Sequence, residues 1–125
     1  DTSLSQEQWE AQVLRANRRM PSLGVPHEKR GVVDLYDVSD DWLPIYDRTD
    51  LDGFYVAIGT SGNQYKNAGA VGQLMSELIE AVEAGHDHDA SPVVMTGRYT
   101  GWEIDIGFYS RNREINADSS MSVHG

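Results

Sequence analysis

The sequence predicts an α/β fold, reading as α+β for the chain as an isolated piece, and three observations carry that assignment. Apolar residues recur at helical spacing at Trp9, Val13, Ala16 and Met20. They do so again at Ala68, Val71, Leu74, Met75, Leu78, Ile79 and Val82. Between these two stretches, Phe54 to Ile58 (FYVAI) is a short continuous apolar run of the kind a strand buried on both faces requires. With 125 residues and 39% hydrophobic content, the chain has the size and apolar fraction of one domain.

Taken in order, residues 5 to 20 read as a helix. Ser5 and Gln8 are spaced as a capping box, Pro21 is the stop, and Glu7, Arg15, Arg18 and Arg19 lie on the polar side. Pro21 to Pro26 is a loop, and Gly31 to Val38 (GVVDLYDV) has the β-branched and aromatic content of a strand. A second extended piece, Leu43 to Asp47, leads into the acidic turn Asp47 to Gly53, whose Asp-Gly end favours chain reversal before FYVAI. The glycine-rich segment Gly59 to Lys66 follows, then the second helix with Gln73, Glu77, Glu80 and Glu83 opposite its apolar stripe and Gly85 as its stop. Beyond it, HDHDASP reads as a polar linker, Ile104 to Tyr109 as a strand, and Ser119 to Gly125 as a frayed end.

Composition narrows the function. Twenty acidic residues against ten cationic ones give a net charge of −10, so the chain lacks the cationic face that nucleic acid requires. The absence of cysteine excludes disulfides, thiolate zinc sites and a cysteine nucleophile. No apolar run approaches the roughly 20 residues of a membrane span, and no basic-then-apolar leader opens the chain. A cytoplasmic protein is the expectation, and a start at Asp1 rather than Met reads as processing or excision from something longer.

The strand, glycine loop and helix from Phe54 to Leu74 form the most informative block. A strand ending in glycines and feeding a helix aims backbone N–H groups at one point, where the helix start carries about half a positive charge. Gly59 and Gly62 allow close backbone approach, Gly69 and Gly72 suit tight packing of the first helical turn, and Lys66 is positioned for an anionic group. The plainer alternative is an ordinary helix start with loop glycines and a solvated lysine. No two of the 12 glycines stand two residues apart, so GxGxxG is absent, and no Gly-Lys-Ser/Thr is present for a P-loop. His86, Asp87, His88 and Asp89 are too contiguous to converge on one metal ion, and the acidic runs 34–41 and 47–52 lack a calcium loop's pattern and read as turns and solvated edges. Ser61 lacks a nucleophile elbow, so neither a catalytic residue nor a metal ligand is assigned.

The string DLYDVSDDWLPI (Asp34 to Ile45) followed by GFYVAIGTSGNQYKNAGAVGQLMSELI (Gly53 to Ile79) resembles the carboxy-terminal part of the FAD-dependent amino-acid and amine oxidoreductases, the superfamily of D-amino-acid oxidase, glycine oxidase and sarcosine oxidase or dehydrogenase. The resemblance implies the C-terminal part of a Rossmann-like FAD-binding flavoprotein. Residues 1–42 would come from the substrate-domain side, 43–92 would return to the FAD domain, and 93–125 would be an extension with no assigned role. It also implies non-covalent FAD, held mostly by sequence absent here, and hydride transfer from an amino acid or secondary amine to the flavin. Gly59, Thr60, Ser61, Gly62, Asn63, Gln64 and Tyr65 would cradle the ring edge, Lys66 would anchor the substrate carboxylate and Tyr36 would wall the pocket. Asn63 departs from the family's histidine, and no cysteine precedes Tyr36 to attach the flavin. The expected partners are a small amine or amino acid, the rest of the parent polypeptide, and a second copy through self-association, with no nucleic acid and no membrane span. The fragment alone is expected to be inactive. The alternative is a stand-alone acidic α/β interaction domain without catalysis.

Overall fold

A computed structural model describes residues 3–119. It is a small mixed α+β fold of two α-helices and two small antiparallel sheets. The chain divides into two compact units, one ending at Leu35 and one beginning at Tyr36.

The first unit is built on helix α1 (Gln6–Arg19). Its start is fixed as the sequence predicts: the Ser5 hydroxyl accepts the Gln8 N–H at 3.1 Å, and the Gln8 side chain returns to the Ser5 backbone. Only Trp9 of the predicted stripe is buried, and Met20 is 54% exposed. The return segment is tied down by Lys29, whose ammonium donates to the Leu4 carbonyl at 2.7 Å. The strand expected over Gly31 to Val38 is absent, because no neighbouring strand offers it a ladder; Val32 and Leu35 are 90% and 84% exposed. Intrinsic β preference yields when no surface exists to pack against.

The second unit carries the core. Strands β1 (Ile45–Arg48) and β2 (Tyr55–Ile58) form a hairpin with Ile45 opposite Ile58 and Arg48 opposite Tyr55. Its turn is closed by Thr49 N–H to Phe54 O, with Gly53 at φ 71°, the reversal expected from Asp-Gly. β2 is not buried on both faces as its apolar run suggested. It pairs with β1 alone, and Ala57 and Ile58 are exposed.

Helix α2 (Ala68–Glu83) buries Leu74 and Leu78. It ends in a Schellman motif, with His86 N–H to Ala81 O, Gly85 N–H to Val82 O and Gly85 at φ 91°. Gly69 and Gly72 meet nothing within 4 Å of an added Cβ, so among the described residues they serve no tight packing. Past α2, His86 and Asp87 close HDHDAS into an ordered turn in which His88 is buried, in place of a polar linker. Strands β3 (Val94–Thr96) and β4 (Glu103–Asp105) form the second sheet. The strand expected over Ile104 to Tyr109 is thus split, with a 3-10 turn over Ile106–Tyr109 in its second half. The core consists of Tyr46, Leu74, Leu78, Met95 and Ile106, so the residues past 93 supply two of its five buried side chains. Of the expected frayed end, residues 120 to 125 lie outside the described residues.

Candidate functional site

β2 delivers the chain into the glycine loop, where Gly59, Ser61 and Gly62 take positive φ of 67°, 50° and 70°. What holds these left-handed turns is Asp37. Its carboxylate accepts the Gly59 N–H, the Thr60 N–H at 3.0 Å and the Thr60 hydroxyl at 2.7 Å, and its carbonyl accepts the Ser61 N–H at 2.9 Å. These bonds, that from the Thr60 hydroxyl foremost, hold the Asp37 carboxyl below its ordinary range. The chain therefore supplies its own anion to the first part of the loop.

The second part of the loop faces a concavity of about 400 Å³ lined by Thr60, Gly62, Asn63, Gln64 and Tyr65, with Tyr46, Ala57, Ala68 and Val71 as its apolar walls. Among the described residues no protein acceptor meets the backbone N–H of Gly62, Gln64 or Tyr65. These groups belong to the segment that leads into α2 through a 3-10 turn over Tyr65–Asn67. Gln64 is fixed from two sides, its side-chain oxygen accepting from Tyr46 Oη at 3.3 Å and Asn67 Nδ2 at 2.8 Å. Burial pushes the Tyr46 phenol up, so it stays a hydrogen-bond donor at neutral pH.

Five of the seven loop residues singled out in the sequence thus share one concavity. Gly59 and Ser61 do not line it; both are buried, and an added Cβ at Gly59 would sit 3.3 Å from Ser39 Cβ. Lys66 turns to Asn63, donating to its side-chain oxygen at 2.7 Å, and does not line the concavity. Asn63, where the resembled family has histidine, is thereby the lysine's tether. Tyr36 is 46% exposed and does not line it either.

A second polar assembly escaped the sequence reading. The acidic runs were expected to be solvated, yet Asp41 and Asp47 are fully buried. Arg113 donates to both Asp41 oxygens, at 2.9 and 2.7 Å, and this guanidinium holds the Asp41 carboxyl down to about 2. Asp47 accepts from Arg48 N, Ser110 Oγ, Arg111 N and Arg111 Nη1 at 2.7 to 3.2 Å. Arg111 reaches on to Asp89 and Asp50, which holds the Asp89 carboxyl below its usual range and raises the guanidinium further. The available signal was arithmetic: a chain with few cations places two of them in one short tail segment, Arg111 and Arg113. No group of three or more His, Cys, Asp or Glu among the described residues is placed to hold a metal ion. No helix of the described residues is long and apolar enough to cross a membrane.

Comparison of the chain with protein-family models, with curated proteins and with solved structures finds no match in any of the three.

Proposed function

We propose that this chain is the C-terminal, flavin-edge portion of a Rossmann-like FAD-dependent oxidoreductase that oxidises an amino acid or a secondary amine, the remainder of the parent polypeptide holding most of the cofactor. The observation that supports the reading is the concavity lined by the loop before α2, where the N–H groups of Gly62, Gln64 and Tyr65 have no acceptor among the described residues. Fixed donors at a helix start suit the electron-rich N1 and C2 carbonyl edge of an isoalloxazine ring. The fit is partial. Asp37 already satisfies Gly59, Thr60 and Ser61, so the cradle narrows from the whole loop to Gly62 through Tyr65.

In this reading the flavin supplies the hydride acceptor. The chain's own residues orient and bind: Gln64, braced by Tyr46, holds the loop against the ring edge, Ala57 and Val71 keep water from one side, and Lys66 swings from Asn63 to take a substrate carboxylate. The complete parent polypeptide is expected to purify yellow with bound flavin. In it, Lys66→Ala raises the KM for an acidic substrate far more than for its carboxylate-free analogue. A colourless complete polypeptide refutes the cofactor, and equal effects on both substrates remove Lys66 from the site.

A second reading, a stand-alone acidic interaction domain, is favoured by one observation: the loop is closed by the chain's own Asp37 and the core by its own tail residues Met95 and Ile106. The same absorption measurement separates the two readings.

A further inference from the structure

His88 is buried where four parts of the second unit meet: the turn after α2, the approach to β3, strand β1 and the tail segment 110–113. Its side chain is 0% exposed. Nδ1 accepts the Val93 N–H at 3.0 Å, so the ring is neutral and its proton sits on Nε2. Nε2 has no hydrogen-bond partner among the described residues, and Asp47 Oδ1 stands 3.7 Å away, outside hydrogen-bond reach. Asp47 is the anchor of the tail, taking Ser110 Oγ at 3.0 Å and the Arg111 backbone N–H at 2.7 Å. Val93 in turn accepts the Ile106 N–H at 3.0 Å, so the histidine's backbone partner also fixes the entry to the 3-10 turn that precedes the tail.

We propose that the segment Ser110–Arg113 is a strap closed over β1 by a proton-sensitive latch, in which His88 must be neutral for the strap to stay shut. Protonation puts a second N–H on Nδ1, directly opposite the Val93 donor, and breaks that bond. It also places a charge on a side chain that is 0% exposed, beside an Asp47 already neutralised by Arg111.

The surrounding charges divide. Asp47 on β1, Asp89 on the same turn and Asp105 at the end of β4 favour the imidazolium, while His86 opposes it, and Arg111 engages both Asp47 and Asp89. Desolvation outweighs the favourable charges and pushes the His88 pKa down. The sign follows: a group whose folded pKa lies below its unfolded value of about 6.5 stabilises the closed form above that pH and ceases to do so as pH falls through the folded value. A concavity of about 190 Å³, lined by His88, Pro92, Ser110 and Arg113 among others, gives the proton a route.

The test uses the full chain and two readouts, ring-proton NMR titration of the histidines and amide exchange protection at Val93 and Arg111, followed from about pH 7.5 to about pH 5. The expected result is a His88 midpoint below the ordinary histidine value of about 6.5, with protection at Val93 and Arg111 falling at least about tenfold across that midpoint. In His88→Asn, which keeps an acceptor for Val93 without a titrating ring, the same protection is independent of pH over this range. A His88 midpoint at or above about 6.5 overturns the latch, as does wild-type protection at Val93 and Arg111 that does not change with pH. Should the variant not fold, the wild-type titration alone decides.

Discussion

Replacing Arg113 by Met tests whether the tail is part of the fold. The guanidinium is 9% exposed and its carboxylate partner not at all, and their two bonds are joined by donations to Leu43 O and Ser110 O, each at 3.0 Å. Methionine fills a similar volume and carries no charge, so the change leaves Asp41 buried with only the Ser39 hydroxyl and the Leu43 N–H. Breaking a buried pair from one side costs about 3–5 kcal/mol. A second route gives a similar size: displacement of the Asp41 carboxyl from 3.8 to about 2, with the Arg113 hydrogen bond as its largest cause, corresponds to about 2.5 kcal/mol at about 1.4 kcal/mol per pH unit. That route omits the bonds to Leu43 and Ser110, so about 3 kcal/mol is the expectation. Because the folded carboxyl is depressed, this stability is present above the unfolded value near 4 and is lost as pH falls toward 2. Urea denaturation in a Trp9→Phe background, where Trp42 and Trp102 report only on the unit beginning at Tyr36, measures both quantities. Asp41 contributes about 2 kcal/mol to the loss between pH 4 and pH 2, beside the shares of Asp37 and Asp89 that both proteins keep, so Arg113→Met loses about that much less than the unsubstituted chain. A cost at neutral pH under about 1 kcal/mol, or the same acid slope in both proteins, refutes the reasoning.

Three further outcomes follow from the packing. Leu78→Ala, at a position with 0% exposure in the core, is expected to cost about 3 kcal/mol in the same denaturation assay. Gly59→Ala sets a side chain at φ 67° with its Cβ 3.3 Å from Ser39, and about 1–2 kcal/mol of destabilisation is expected from the same measurement. Asp37→Ala strips the acceptors from Gly59 and Thr60, so amide exchange at those two residues is expected to accelerate while that at Leu78 does not change.

What was legible in the sequence was local. The Ser5–Gln8 box, the Asp-Gly reversal, the α2 stripe and the Gly85 stop are each decided by residues within a turn or two of one another, and each lies where the sequence puts it. What was not legible depended on partners far along the chain. The Asp41 and Asp47 carboxylates look solvated until residues 72 and 64 positions away supply their guanidinium and backbone donors. β2 looks doubly buried because an apolar run does not reveal how many strands will flank it. The candidate loop illustrates both cases: its turns follow from its own glycines, whereas the loss of its first amides to Asp37 is set by a side chain 22 residues upstream.

Charge then decides what the concavity at α2 admits. From Tyr36 onward the sequence has five cations, Arg48, Lys66, Arg98, Arg111 and Arg113. Arg111 and Arg113 are held in buried or half-buried pairs, Arg48 stands 3.8 Å from Asp89, and Arg98 lies over the Tyr99 ring. Lys66 is the cation nearest the loop, in a chain of net charge −10. A ligand that carries its own negative charge therefore meets a repulsive field on approach, and salt relieves it: the Debye length is about 10 Å at 0.1 M and about 3 Å at 1 M. Riboflavin and FMN present the same ring and differ by a phosphate, so they separate the field from the contacts. If the proposed flavin-edge reading holds, fluorescence titration of this chain is expected to show FMN affinity rising with ionic strength while riboflavin affinity holds steady. FMN affinity that falls with salt refutes the repulsive field, because Arg48, Arg111 and Arg113 are engaged with Asp89, Asp47 and Asp41.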